Sequence, residues 1–451
     1  MKFSRRNSLN AFPSSNLHCA NSLLRSSFGL MNLKSIAFGI TVILLGLNRG
    51  QSADWPQYRG ANHDGSTPEK ISTKWPQEGP RQVWKAELGE SFGSFALSGG
   101  KAFCFIQRNV NGQDSEVAMA LDANTGKELW AVPMGKPTYD KQGGDGPRST
   151  PTIDGGSAYF LGAHLMLTCL DANTGKTKWQ HDLVKEYNGK VISWNHAGSP
   201  VLDGNLVFVN AGGEGQALLA FDKKDGKLVW KSGSDKPTHA SPVPATILGV
   251  RQIVFFTQSG LVSAAANDGK ILWRHPFPYK TSTASDPIVW KDIVYCSAGY
   301  GVGGGACKIS KTGNDFSATE LWRQEGGTMN HWTTPVCKDG FLYGIFGFKE
   351  FGTAPLNCVE IATGKKVWSQ PGFGSGGGTI LVGGSHVLVQ GDKGPLVLVE
   401  ATPKAYTEVA RAQPLGGKCW TMPVVSGGRI FARNTKQGVC LDVAPMVATG
   451  K

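Results

Sequence analysis

The sequence predicts an all-β protein, an eight-bladed β-propeller whose last blade is closed by the strand nearest the N-terminus. A hairpin segment recurs along the chain, and each copy ends on a Trp at nearly constant spacing. The final repeat lacks an outer strand that is present at the other end of the chain. Self-similarity at a period of roughly 40–50 residues belongs to radial repeat folds, in which each unit is one small sheet. The 60 Gly, 24 Pro and 13 Trp suit short strands joined by many turns, and long amphipathic helical periodicity is absent.

The repeat is clearest in Leu121-Asp122-Ala123-Asn124-Thr125-Gly126-Lys127-Glu128-Leu129-Trp130 and its near duplicate from Leu170 to Trp179. Further copies end on Trp230, Trp273 and Trp368, and a decayed copy runs from Lys311-Thr312-Gly313 to Trp322. An Asp ends one strand and accepts backbone N–H groups in the turn, Gly supplies the positive φ, and the chain returns as a strand. The Trp then buries a large ring between neighbouring sheets. Upstream, each repeat has a Pro-led strand and two hydrophobic strands, as in Ser199-Pro200-Val201, 206–209 and 217–221, so each repeat holds four strands.

The docking residues Trp84, Trp130, Trp179, Trp230, Trp273, Trp322 and Trp368 are separated by 43 to 51 residues, and a seventh interval of 41 ends at Val409. Three strands follow, near 421–424, 429–432 and 439–442. The missing fourth is Gln82-Val83-Trp84-Lys85. Sharing the last blade between both ends removes an exposed sheet edge. Residues 81–443 are therefore the propeller, 54–80 a capping extension and 444–451 a tail.

The net charge of +12 is deceptive, because residues 1–53 hold six basic residues and no acid, leaving 40 against 34. No dense basic run survives in the remainder, which argues against nucleic acid as a partner. Residues 1–53 read as an export signal peptide: Lys34 precedes an apolar run from Ile36 to Leu47, with cleavage near Ala53 and Met31 as an alternative start. The run is too short to span a bilayer comfortably, so the mature protein is expected without a transmembrane anchor, in the periplasm or outside the cell.

Cleavage leaves eight cysteines. Cys169, Cys358 and Cys440 fall where Ala120 and Ala220 stand in other repeats, so a small buried residue is required there. Buried free thiols are expected in preference to a disulfide framework, with Cys296 and Cys307 as the pair to test.

The Asp-x-x-Thr-Gly-Lys-x-x-Trp motif resembles the tryptophan-docking repeat of quinoprotein dehydrogenases that use pyrroloquinoline quinone. It is equally similar to the propeller of the outer-membrane β-barrel assembly lipoprotein, and the likeness covers roughly 81–443. The opening Asp54-Trp55-Pro56-Gln57-Tyr58-Arg59-Gly60 resembles the start of exported quinoprotein-like propellers. The dehydrogenase resemblance implies a quinone held between a Trp and a disulfide of adjacent cysteines, with calcium on carboxylate and amide side chains. This sequence has no adjacent cysteine pair and no Cys-x-x-Cys-His haem attachment. The resemblance thus implies two functions: a binding or scaffolding module of the cell envelope, or an alcohol or polyol oxidoreductase using pyrroloquinoline quinone with calcium.

Residues just before each blade-starting Pro face the mouth of the channel. There the sequence brings Arg148, Trp194, Asn195, His196, His239, Asn330, His331, Trp332 and Trp420 to one ring. Indoles stack on planar or sugar-like ligands while Arg and His supply polar contacts, so the ring is a candidate site for a small molecule or an envelope protein segment. The competing reading is that Ser, Thr and His there only satisfy loop backbone groups. No metal site is expected, His196, His239 and His331 being the weak candidate. Thr-Gly-Lys is a turn and not a phosphate loop, since Leu121, Leu170 or Phe221 replaces the required upstream Gly.

Overall fold

A computed structural model describes residues 54–140, 143–326 and 329–445. The expected leader at 1–53 and most of the expected tail lie outside the described residues. Eight sheets form, each an antiparallel meander of four strands, with a short parallel strand added to one. Blade 1 is Ala96–Ser98, Lys101–Val110, Gln113–Asp122 and Glu128–Gly135, from the axis outward. Blades 2 to 7 repeat this plan over 152–182, 201–232, 243–276, 288–324, 336–370 and 378–412. Blade 8 takes Val424–Ser426, Arg429–Arg433 and Gln437–Asp442 from the end of the chain and Gln82–Glu87 from its beginning. Leu183–Tyr187 is the one helix among the described residues; it is capped by the Asp182 side chain, which accepts from the Lys185 N–H.

The Trp side chains couple the blades as the repeat predicts. Trp84 Nε1–H donates to Ala123 O at 2.9 Å, Trp130 to Ala172 O at 3.2 Å, Trp179 to Lys223 O at 3.2 Å and Trp230 to Ala266 O at 3.0 Å. Trp322 and Trp368 do the same to Ile361 O and Thr402 O. Each acceptor lies in the turn of the next blade, and in all but Trp368, whose target turn has no glycine, the indole face covers that turn's glycine. A Cβ on Gly226 would sit 2.7 Å from the Trp179 ring, and one on Gly364 2.6 Å from Trp322. Opposite the Trp in its own sheet stands a small residue: Ala120, Cys169, Ala220, Ser263, Ala306, Cys358 or Cys440. The expectation of a small buried residue at the cysteine positions is met, and all eight described cysteines are free thiols.

Two positions depart from the pattern. Trp273 donates to Gln252 Oε1 of its own blade at 2.8 Å, because the next hairpin is the long decayed copy, where Gly313 has nothing within 4 Å of a Cβ. In blade 7 the register pairs Leu398 with Ala410 and Val399 with Glu408, so Ala410, not Val409, occupies the Trp position. Val409 sits at the bulge, as Leu129 does in blade 1; counting along the sequence missed the bulge by one residue.

The segment before blade 8 spans the channel. Trp55 bridges to Leu97 of blade 1, and Pro56 O accepts from Ile153 N of blade 2. On the opposite side Arg59 donates to Thr334 O and Pro335 O of blade 6, and Ser66–Thr67 pairs parallel with Leu381 and Val382 of blade 7. Blades 2 and 6 face each other across an eight-membered ring, so residues 56–59 cross the axis and close that end.

Candidate functional site

Around the open end, a belt of hydrogen bonds links the start of one blade to the next. Ser94 N donates to Thr150 Oγ1, Thr150 N to Ser199 Oγ, Ser199 N to Ser241 Oγ, Ser241 N to Asp286 Oδ1 and Asp286 N to Thr334 Oγ1, all within 2.7–3.0 Å. These Ser and Thr residues satisfy loop backbone groups, as the structural reading of them anticipated. Asp286 is the one acid in the belt; burial pushes its carboxyl up to about 7, and the nearby Arg59 opposes this.

Above the belt lies a cavity of about 330 Å³ to which all eight blades contribute. Its floor includes Tyr58 from the segment that crosses the axis. On one side Trp332, Trp420 and Phe351 lie nearly parallel, with Trp332 and Trp420 centroids 4.7 Å apart and Phe351 to Trp420 5.4 Å. Trp420 is held in place by a close approach to the backbone, since a Cβ on Gly376 would fall 2.1 Å from its ring. Across the cavity Trp194 stacks on Tyr300 at 6.4 Å. Trp194 and Asn195 both have left-handed φ, 63° and 62°, a conformation that is costly for a bulky residue and concentrates at functional loops.

The charged residues that line the cavity, Arg148 and Lys349, are cationic. Arg148 pairs with Asp140 at 3.1 Å and stands 5.1 Å over Phe92. Lys418 lies 4.3 Å over Trp420, and Lys349 lies 5.4 Å over Tyr300 and 5.1 Å over Phe348. No Asp or Glu lines the cavity.

Of the sequence candidates, Arg148, Trp194, His239, His331, Trp332 and Trp420 line the cavity. Asn195, His196 and Asn330 do not. Asn330 is buried in the scaffold, accepting from Tyr295 Oη and donating to Ile345 O. His196 is enclosed by its own loop and is pushed down to about 3 by burial. His239 uses both ring nitrogens, on Ser193 O and Ser282 Oγ, and the three imidazoles are not gathered into a metal-holding group of three among the described residues. Burial lowers His239 to about 4 and His331 to about 3, so both are neutral.

A family model described as outer membrane protein assembly factor BamB matches residues 113–349, more than half of the chain. The chain belongs to that family. BamB from Moraxella catarrhalis has a similar structure at 15% identity, covering 82% of this chain and 98% of its own, with a TM-score of 0.55. The quinohemoprotein alcohol dehydrogenase from Comamonas testosteroni is similar at 13% identity over 90% of this chain and 82% of its own, with a TM-score of 0.60. At such identities the likeness is one of fold. No curated protein matches the sequence.

The residues at this BamB-family mouth do not fit the quinone and calcium pair of the dehydrogenases. No carboxylate lines the cavity to ligate calcium, and no two cysteines are adjacent in the chain to form the disulfide platform. Sequence reading missed Tyr58, Phe92, Tyr300, Lys349, Phe351 and Lys418. A parity argument finds half of them. In a four-stranded meander the loop between the second and third strands opens at the same end as the loop between blades. Tyr300 sits in that loop of blade 5, and Lys349 and Phe351 in that of blade 6.

Proposed function

We propose that this propeller is an exported binding module of the cell envelope that takes a small ligand in its channel mouth. The observation that carries the reading is the cavity itself. Aromatic and cationic side chains line it, while the polar groups of the belt beneath are already paired with one another. Its size suits a small molecule better than a folded partner. The envelope assignment is supported by the leader-like segment at 1–53 and by the description of the matching family. Saturation-transfer NMR with a fragment library tests the reading. Binders are expected that lose their signal in Trp332→Ala, with no alcohol-dependent dye reduction after loading with pyrroloquinoline quinone and calcium. Stoichiometric quinone uptake with alcohol oxidation would sink it in favour of the oxidoreductase.

A further inference from the structure

We propose that the mouth binds a small aromatic carboxylate without a metal ion, its carboxylate shared between Lys349 and the imidazole of His331. This deepens the reading of the mouth as a binding site and rests on it. The mouth does not fit the ligand set that the dehydrogenase resemblance implies, and the chemistry around the cavity points to a different means of holding an anion.

His331 is 2% exposed, and its Nδ1 is buried without a hydrogen-bond partner. That nitrogen is buried against Gly299, where a Cβ would fall 2.3 Å away. A buried N–H left unpaired costs more than an unpaired lone pair, which puts the proton on Nε2. His331 lines the cavity, and unlike Nδ1 its Nε2 is not sealed off as a buried unpartnered atom, which assigns Nε2 to the cavity side. The ring is fixed by Tyr300 at 5.3 Å, Phe348 at 5.1 Å and Trp332 at 4.7 Å. A neutral imidazole locked in this box is a preorganised donor awaiting an acceptor.

The acceptor it awaits is anionic. Lys349 shares Tyr300 and Phe348 with His331 and has no ion-pair partner among the described residues. Its positive charge disfavours the protonated imidazole, so the pair stays one cation and one neutral donor. An ammonium and an N–H donor lining one cavity suit a carboxylate, and both bonds would be strong because one partner is charged. The ring of the ligand would face the parallel wall of Trp332, Trp420 and Phe351, where stacking adds to apolar burial.

Calorimetry on the whole protein in EDTA, with benzoate, cinnamate and indole-3-acetate as probes and cinnamamide as the neutral match, decides the matter. At least one acid should bind with a Kd on the order of 10–100 µM, at least about 10-fold tighter than its amide. Lys349→Ala should cost about 10-fold and Lys349→Arg much less; Lys349 is exposed, so neither change endangers the fold. No binding by any of the three acids overturns the proposal, as does equal binding of acid and amide or a strict need for calcium. If the amide binds equally and Trp332→Ala abolishes it, the mouth stands as a site and only the anion assignment falls. If fragments bind with no loss in Trp332→Ala, the parent reading falls as well.

Discussion

Arg81 and Asp442 meet as the two sides of a hairpin that has no turn. Asp442 N donates to Arg81 O at 2.9 Å, the bond that Asp122 N makes to Lys127 O inside blade 1, and the guanidinium reaches the Asp442 carboxylate at 2.6 Å. In the preceding blade the Trp position holds Ala410, because the turn an indole would cover is missing here.

The closure therefore depends on Trp84 and little on the ion pair. The pair is exposed, with Arg81 at 70%, so Arg81→Ala should lower unfolding stability by about 1 kcal/mol or less. Trp84→Ala removes a buried ring packed between blades 8 and 1 and should cost about 3–5 kcal/mol by urea denaturation. Equal effects would mean that the strand, not the indole, holds the ring shut.

The turn glycines separate two costs in the same way. Gly313 has φ +60° and free space around it, so Gly313→Ala should cost about 1 kcal/mol from backbone strain alone. Gly226 has φ +74° with Trp179 against it, so Gly226→Ala should cost a further 1–3 kcal/mol or so from displacing the indole. Denaturant midpoints of the two variants measure the difference.

The architecture was legible because it is written once per repeat: a Trp, a glycine turn and a small facing residue recur until coincidence is excluded. The belt was largely legible too, since Thr150, Ser199, Ser241 and Thr334 each precede a proline; Ser94, which precedes Phe95, was not. Half of the site was not. Asn330 and His196 occupy the same loops as the cavity residues, and only side-chain direction separates them. Tyr58 reaches the cavity because Trp55 and Arg59 anchor on opposite blades, a tertiary arrangement without local pattern.

Stability should respond to pH through two opposed sets of buried groups. Burial raises Glu116 to about 7, and it accepts from Thr138 Oγ1 and Ala163 N. Its native state holds a proton that the unfolded chain releases near the ordinary carboxyl value of 4.5, so it removes stability as pH rises from there to about 7. His196, His239 and His331 are neutral when folded and take up protons on unfolding below 6.5, so they add stability as pH rises through the same window. Glu116→Gln deletes the first contribution alone. Its stability relative to the parent should grow by on the order of 2 kcal/mol between pH 4.5 and 8, read from denaturation at both values.

The thiols should be silent in the folded protein. Seven of the eight described cysteines are buried and Cys337 is half-buried, and burial pushes Cys104 up to about 11 and Cys307 up to about 12. Titration of protein lacking residues 1–53, and so Cys19, with a chromogenic disulfide at pH 8 should find almost none reactive until denaturant is added, then all eight without reductant. A shortfall of two would point to the Cys296 and Cys307 pair.

Asp392 is the residue on which the aromatic wall turns. Its carboxylate accepts from Gly352 N at 3.0 and 3.1 Å, fixing the residue next to Phe351, and its carbonyl accepts from Cys419 N at 2.8 Å, next to Trp420. Backbone N–H groups of Ser375 and Gly376, beneath the Trp420 ring, face the same carboxylate. The side chain thus ties a loop of blade 6 to one of blade 7, and the residue's own carbonyl adds the loop that leads into blade 8. Asp392→Asn keeps an acceptor and the shape, and should leave ligand affinity at the mouth within about 3-fold. Asp392→Ala strands those N–H groups, costing about 1–3 kcal/mol of stability, and should weaken ligand binding about 10-fold by freeing Phe351. Affinity unchanged in the Ala variant would mean that Phe351 and Trp420 hold their parallel arrangement by stacking alone.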